Sequence, residues 1–185
     1  MCTIRNYKSN DKKYLRKICE YTATPTNHKN LASVSIMYND YYTENEPNNI
    51  LVLCNEKSIP VGYILCSTNY NKWLNAMNGK YKEKLAKVDP NEIFTLENVI
   101  IKNHESIKEK SNHFHIDILP DYQRKGYGHK LIEELCEKLK NEGINHISAV
   151  RIKKNSGSYN LCLKEGFYIL KDYGDDTFSL TKDLN

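Results

Sequence analysis

The run His115-Ile116-Asp117-Ile118-Leu119-Pro120-Asp121-Tyr122-Gln123-Arg124-Lys125-Gly126-Tyr127-Gly128-His129 constrains this chain more than any other stretch. An alternating apolar segment stops at a proline. A short loop then carries two glycines one residue apart, and an apolar stripe follows at helical spacing: Leu131, Ile132, Leu135, Cys136 and Leu139, stopped by Gly143. The pattern predicts a strand over His113–Leu119 and a helix over His129–Glu142. A strand, a glycine turn and a helix in that order leave the first-turn N–H groups without intrahelical acceptors, beside the positive end of the helix dipole. Such a start suits an anion, a pyrophosphate in particular, and Arg124 and Lys125 add charge. The glycines alone also fit an ordinary tight turn. They match neither a Walker A loop nor the dinucleotide fingerprint, since His129-Lys130-Leu131 supplies no third glycine.

Around this segment the two hydrophobic periods alternate. Thr3–Tyr7 reads as a strand, and Ser9 or Asn10 as the cap of a helix with Tyr14, Leu15, Ile18 and Cys19 on one face. Pro25 and the polar residues Thr26 to Asn30 break it, and a second helix runs from Leu31 to about Tyr42. Ile50–Cys54 and Val61–Cys66 flank a polar turn and form a hairpin. Trp73, Met77, Tyr81 and Leu85 recur every four residues as an amphipathic helix; Phe94–Ile101 reads as a strand and Lys102–Asn112 as a polar loop. After the glycine-turn helix come a strand at His146–Ile152, a short helix at Ser156–Lys164, a strand at Phe167–Lys171 and a last strand at Phe178–Thr181. Mixed strands with a βαβ stretch predict an α+β (α/β) fold rather than a helical bundle.

Composition narrows the class. At 185 residues one domain is expected, 1–185, with an inserted helical segment at about 69–112. Twenty-seven Lys+Arg against 23 Asp+Glu excludes a polybasic nucleic-acid arm, and fourteen tyrosines with many Ile and Leu exclude general disorder. No apolar run approaches the roughly 20 residues of a membrane span, and Met1–Lys8 is no secretory signal, so a cytoplasmic setting is expected. The six cysteines contain no C-x-x-C pair and lie mostly in apolar runs, which reads as buried reduced thiols rather than a disulfide framework or a zinc ribbon.

Taken together, Ile116-x-Ile118-x-Pro120-x-x-Gln123-x-x-Gly126-x-Gly128 resembles the acyl-CoA-binding motif of the GNAT N-acetyltransferase family, [QR]-x-x-G-x-[GA] after a strand. Downstream, Asn155-x-x-Ser158-x-x-x-Cys162-x-x-x-Gly166-Phe167 resembles its second signature, N-x-x-A-x-x-x-Y-x-x-x-G-F. The resemblance covers the chain in outline and is specific from about Phe114 to Tyr168. The run His-Ile-Asp-Ile-Leu-Pro is also similar to the acetyltransferase-like domains related to those of O-GlcNAc hydrolases. The resemblance implies a central, splayed mixed sheet flanked by helices. Acetyl-CoA or another acyl-CoA would lie between the splayed strands as cosubstrate, its pantetheine arm on main-chain groups of Ile116, Asp117 and Ile118. Its pyrophosphate would sit on the amides of Gln123, Arg124, Lys125, Gly126, Tyr127, Gly128 and His129. Asn155 would hydrogen-bond the pantetheine and Tyr159 would flank it. An amine, on a small molecule or a peptide, would attack the thioester directly in a ternary complex, with an amide near Ile118 polarising the carbonyl.

Asp117, His115 and Glu97 are candidate bases for the amine. Glu97 also reads as a solvent-facing strand residue. The family's acid is a tyrosine where this chain has Cys162; a thiol can donate a proton, or be buried and structural, and Tyr159, near the same helical face, reads equally as a substitute or as a packing aromatic. The missing tyrosine leaves open a catalytically silent acyl-CoA sensor. A third reading takes His113, His115 and Asp117, alternating on one strand face, as zinc ligands of a hydrolase, although Ile118 stands where H-x-H-x-D-H needs histidine. No metal is expected. The inserted segment and the Leu31–Tyr42 helix would shape the acceptor pocket or add core packing, and tyrosine-rich faces allow a monomer or a homodimer.

Overall fold

The computed structural model describes residues 2–23 and 30–184. Strands β1 (Thr3–Asn6), β2 (Ile50–Cys54), β3 (Pro60–Ser67), β4 (His113–Ile118), β5 (His146–Lys153), β6 (Tyr168–Asp172) and β7 (Thr177–Asp183) form one mixed sheet in the order β1-β2-β3-β4-β5-β7-β6. β2 and β3 are buried at every position, as their near-continuous apolar sequences require when both faces are covered. Their turn is held by the Asn55 side chain, whose Oδ1 accepts the N–H groups of Lys57 and Ile59, each at 3.0 Å.

Every neighbouring pair is antiparallel except β4 and β5, which run parallel and are in register at the single pair His113 and Ser148. Beyond it β5 bulges between Ala149 and Ile152, with Arg151 in the left-handed region at φ 50°. A bulge bends its strand. β5 therefore leaves β4, and a gap opens along Phe114–Ile118: the splayed sheet the resemblance implies.

Alternation along β4 divides two cores. Phe114, Ile116 and Ile118 face helices α7 (Tyr127–Asn141) and α8 (Gly157–Lys164), where Leu131, Leu135, Tyr159 and Leu180 pack. On the opposite face lie α1 (Lys12–Thr22), α2 (Leu31–Tyr38), α3 (Asp40–Asn45) and the inserted segment, around Tyr41, Tyr42, Tyr63 and Trp73. Those three tyrosines and Tyr81 are fully buried, so they build the core and not an outer face.

The inserted helix is as its spacing predicts: α4 (Tyr70–Ala76) passes through a π-helical turn, Met77–Tyr81, into α5 (Lys82–Val88). A strict four-residue repeat drifts around a 3.6-residue helix, and the wider turn takes up the drift, leaving Trp73, Met77, Tyr81 and Leu85 each no more than 1 % exposed. Glu44 of α3 anchors this segment by accepting from Lys12, Lys80 and Lys84 at 2.6, 2.5 and 2.9 Å. Burial works to raise its pKa, but the three ammonium groups and the Tyr81 hydroxyl hold the carboxyl well below the usual carboxylate range. Surface pairs are worth at most about 1 kcal/mol each, whereas burying a large apolar side chain contributes roughly 2–3 kcal/mol. The aromatic stripe holds the segment; the ion pairs orient it.

Four expectations are corrected. Phe94–Ile101 is not a strand but helical, with a π-helical stretch over Thr95–Ile101 running into α6 (Lys102–Glu105). Leu96, Ile100 and His104 are buried at four-residue spacing while Phe94 is 68 % exposed; a short apolar run is ambiguous between periods, and the core on one side decided it. Lys102–Asn112 is not one loop, since it contains α6 and a 3₁₀ turn at Lys108–Lys110. The Leu31–Tyr42 helix breaks at Asn39 into α2 and α3. Neither Ser9 nor Asn10 caps α1: both lie in a 3₁₀ turn whose Asp11 accepts from the Lys8 N–H at 2.8 Å and from Arg5 at 2.7 Å. Asn30 caps α2 by accepting from the Ala32 N–H; the breaker residues 25–29 lie outside the described residues.

His104 and His113 are 4 % and 0 % exposed. Burial keeps both rings neutral, that of His113 pushed down to about 3 and that of His104 well below the usual value. The unfolded chain protonates these rings near 6.5 and the native chain does not, so stability falls as pH drops from 7 toward 5. The expected loss at pH 5 is on the order of 2 kcal/mol for each ring. Urea midpoints at the two pH values measure it, and equal midpoints would show that the rings accept protons in place.

Candidate active site

The gap between β4 and β5 is lined by main chain. The Leu119 N–H donates to the Val61 carbonyl at 2.9 Å, and Asp117 and His115 stand in register with Tyr63 and Leu65. Odd-numbered residues of β4 thus spend their main-chain groups on β3, and by alternation those of Phe114, Ile116 and Ile118 face the gap. Of the three residues expected to hold a pantetheine arm, Ile116 and Ile118 present main chain to the gap, while that of Asp117 belongs to the β3 ladder. The Ile118 carbonyl accepts from Gln123 Nε2 at 2.7 Å, a side-chain role that the motif alone did not reveal.

Beyond Pro120 the loop turns into α7 through two left-handed residues, Arg124 at φ 57° and Gly126 at φ 82°. Gly126 is the N-cap, and the first backbone N–H of α7 to find its helical acceptor is that of Lys130, on the Gly126 carbonyl at 3.2 Å. The amides from Gly126 to His129 therefore point outward unpaired among the described residues. Gly128 answers to a different need: a Cβ there would meet Leu161 Cδ2 at 2.8 Å, so it admits α8 against α7. His129 Nδ1 lies 2.6 Å from Glu165 Oε1, and that carboxylate raises the imidazole pKa. The main-chain gap and the unpaired amides together fit an extended thioester arm followed by a diphosphate. Arg124 and Lys125 flank the loop; Asn155 sits in the loop before α8 at φ 59°, with its carbonyl accepting from Asn160 Nδ2 at 3.3 Å.

On the other face of β4, His113, His115 and Asp117 align. His113 is saturated, Nδ1 on the Ser111 carbonyl and Nε2 at the Tyr42 hydroxyl, each 2.8 Å, which leaves it no lone pair for a metal. No group of three His, Cys, Asp or Glu side chains among the described residues is arranged to hold a metal ion. His115 is partly accessible, edge-on to Tyr38 and Tyr42 at 5.6 and 5.5 Å, and burial pushes its ring down to about 3. Asp117 is partly accessible too; burial raises its carboxyl pKa, against the pull of the Tyr63 and Thr22 hydroxyls. Tyr63, read from sequence only as a strand apolar, donates to Asp117 Oδ2 at 2.5 Å. Knowing the β3–β4 register would have found it.

The remaining candidates stand apart from this constellation. Glu97 lies on the inserted helix, not on a strand, and pairs with Lys82. Cys162 is 1 % exposed, and burial pushes its thiol up to about 12, which removes its proton from ready donation. Tyr159 is buried, its ring 5.7 Å from that of Phe178. All six cysteines are free thiols and five are buried.

The Acetyltransferase (GNAT) family pattern matches residues 15–167, and the chain belongs to that family. By class it is an acyl-CoA-dependent N-acetyltransferase. No curated protein matches the sequence. Among solved structures, that of SsHAT superposes with a TM-score of 0.84 at 21 % identity, covering 100 % of this chain and 98 % of that one. A Drosophila melanogaster polyamine N acetyltransferase gives 0.66 at 12 % identity, over 99 % and 100 % of the two chains. The Salmonella typhimurium putative acetyltransferase yncA, solved with acetyl-CoA, gives 0.59 at 14 %, over 100 % and 95 %. At these identities the likeness is one of fold.

The contact between His129 and Glu165 has a direct check. Replacing Glu165 by Gln should return the His129 ring to the ordinary histidine range, a fall in pKa that an NMR titration of the imidazole reads; an unmoved value would mean that another group holds the proton.

Proposed function

We propose that this chain is a single-domain, cytoplasmic enzyme that moves an acetyl group from acetyl-CoA to the amine of a small molecule or peptide within one ternary complex. The observation that carries the reading is the division of β4: at one point along the strand, main-chain donors of Ile116 and Ile118 face the gap while the Asp117 carboxylate faces the opposite side of the sheet. Acyl-CoA, when bound, supplies an activated acyl group. The amides from Gly126 to His129 hold its diphosphate, and Ile116 holds the pantetheine with Asn155. The Ile118 N–H stabilises the developing oxyanion.

An amine is an ammonium ion at neutral pH, and attack needs its lone pair. Asp117 takes that proton; its raised pKa makes it a better acceptor than an exposed carboxylate. Neutral His115 beside it lines the amine's approach. A thiol's ordinary pKa is about 8.5, so the leaving thiolate departs without a protein donor, which suits a chain whose Cys162 is sealed in the core. A groove of about 390 Å³ between Tyr14, Ile18 and Tyr21 of α1 and Ile59, Pro60 and Leu119 opens on the same side of the sheet, and we assign it to the body of the acceptor. The inserted helix acts there as core, because its apolar stripe is consumed by packing.

Three outcomes test the proposal. Acetyl-CoA should bind in a calorimetric titration, and Gly126→Ala, which forces a side chain into a left-handed N-cap at about 1–2 kcal/mol, should weaken binding roughly tenfold. Asp117→Asn should cut turnover by about 10²-fold or more against a responsive amine while leaving that affinity unchanged. The same variant should raise the melting temperature at pH 7: a carboxyl with a raised native pKa costs stability once pH exceeds the unfolded value, and the amide removes the cost. Tight acetyl-CoA binding with no CoA release across a broad amine and peptide panel would establish the silent sensor instead.

A further inference from the structure

The geometry points to Tyr63 as the positioning residue for the proton-transfer step: its hydroxyl pins one oxygen of Asp117 and turns the other toward the incoming amine. The inference rests on the reading of Asp117 as the base. Tyr63 stands directly opposite Asp117 in the β3–β4 register, is 0 % exposed, and donates to Oδ2 at 2.5 Å. β3 is buried along its whole length, so the ring has one place to be. A fixed phenol facing a carboxylate across two paired strands removes a rotational freedom that a base on a surface strand keeps, and the gain is one of preorganisation.

The surroundings support a donor and not a second base. Burial and the adjacent carboxylate push the Tyr63 hydroxyl well above its usual pKa, so it keeps its proton throughout the working range. The groups that act on Asp117 are Tyr63 from β3 and Cys19 and Thr22 from α1, with His115 two residues away on the same face of β4. The Cys19 thiol is held up by burial and the His115 ring is neutral, so neither supplies a countercharge. The Thr22 hydroxyl also lowers the Asp117 pKa, but less than Tyr63 does, and it is shared with the Ile18 carbonyl at 2.8 Å. Tyr63 is therefore the principal hydrogen-bond donor to this carboxylate.

The step balances with these groups. The ammonium gives a proton to Asp117 Oδ1, Tyr63 retains its own, and the freed nitrogen lone pair forms the C–N bond as the C–S bond breaks and its electron pair leaves on sulfur. The second proton that nitrogen loses on becoming an amide goes to the departing thiolate, giving the CoA thiol, and the proton on Asp117 passes to solvent, restoring the carboxylate.

The test uses the full chain. In Tyr63→Phe the lost donor no longer favours the ionised carboxylate, so the acid limb of the kcat/KM profile for the amine should move up by about one pH unit. The rate on the acid limb itself should fall roughly tenfold and recover as the pH rises above it, and the acetyl-CoA Kd should stay within about twofold. Incorporating 2,3-difluorotyrosine at position 63 keeps the ring and strengthens the donor, so it should move the same limb to lower pH even where the phenylalanine variant folds poorly. An acid limb that stays put in both variants, while Asp117→Asn is inactive, would overturn the role of Tyr63 and leave the base intact. An Asp117→Asn variant with the parent's activity and profile would overturn the base itself, and the positioning role with it.

Discussion

The opening between β4 and β5 is the constraint on which the rest of this molecule depends. Two parallel neighbours in the middle of a sheet would ordinarily pair along their length and satisfy every main-chain group. Here they are in register at His113 and Ser148 only, because β5 bulges immediately afterwards and Arg151 turns left-handed. The Arg151 N–H then goes to the Ser179 hydroxyl at 3.1 Å, and its guanidinium lies over the Tyr173 ring and against Asn103 of α6. The bent strand is thus clamped by β7, by the loop between β6 and β7 and by the inserted helix. The main-chain groups of Ile116 and Ile118 are thereby left facing the gap and not a neighbouring strand.

The two faces of the sheet divide the work. On the side of α7 and α8, apolar packing fixes where the glycine turn lies relative to β4, and Gly128 lets Leu161 close the angle between the helices. On the side of α1 to α3, histidines and tyrosines are drawn into a core that desolvates them, and Asp117 of β4 sits at its edge, partly accessible. Desolvation lowers the pKa values of His113 and His115 and raises that of Asp117, so one strand face of ordinary titratable groups carries two neutral rings and one carboxyl of raised pKa. Tyr42 locks His113, and Tyr63 engages Asp117, through hydroxyls that arrive from elements distant in sequence.

The strand-to-helix turn, the hairpin and the helical stripes were legible because each is local. Pro120, Gly126 and Gly143 act through backbone geometry within a few residues, and Leu131, Leu135 and Leu139 declare their face by spacing alone. Phe94–Ile101 was misread because Val99, Ile100 and Ile101 favour a strand by type, while the burial of Leu96, Ile100 and His104 is a tertiary fact. The break at Asn39 and the π-helical turn at Met77–Tyr81 follow from fitting helices to a core whose shape no short window contains.

The amino-acid sequence by itself determined most of the strands and helices, the glycine turn into α7 and the family, since these rest on residue type and spacing along the chain. Only the tertiary structure decided which β4 donors face the gap, that Cys162 is sealed away from chemistry, and that Tyr63 meets Asp117. Those outcomes depend on strand register and on burial, and both are set by residues far apart in the chain.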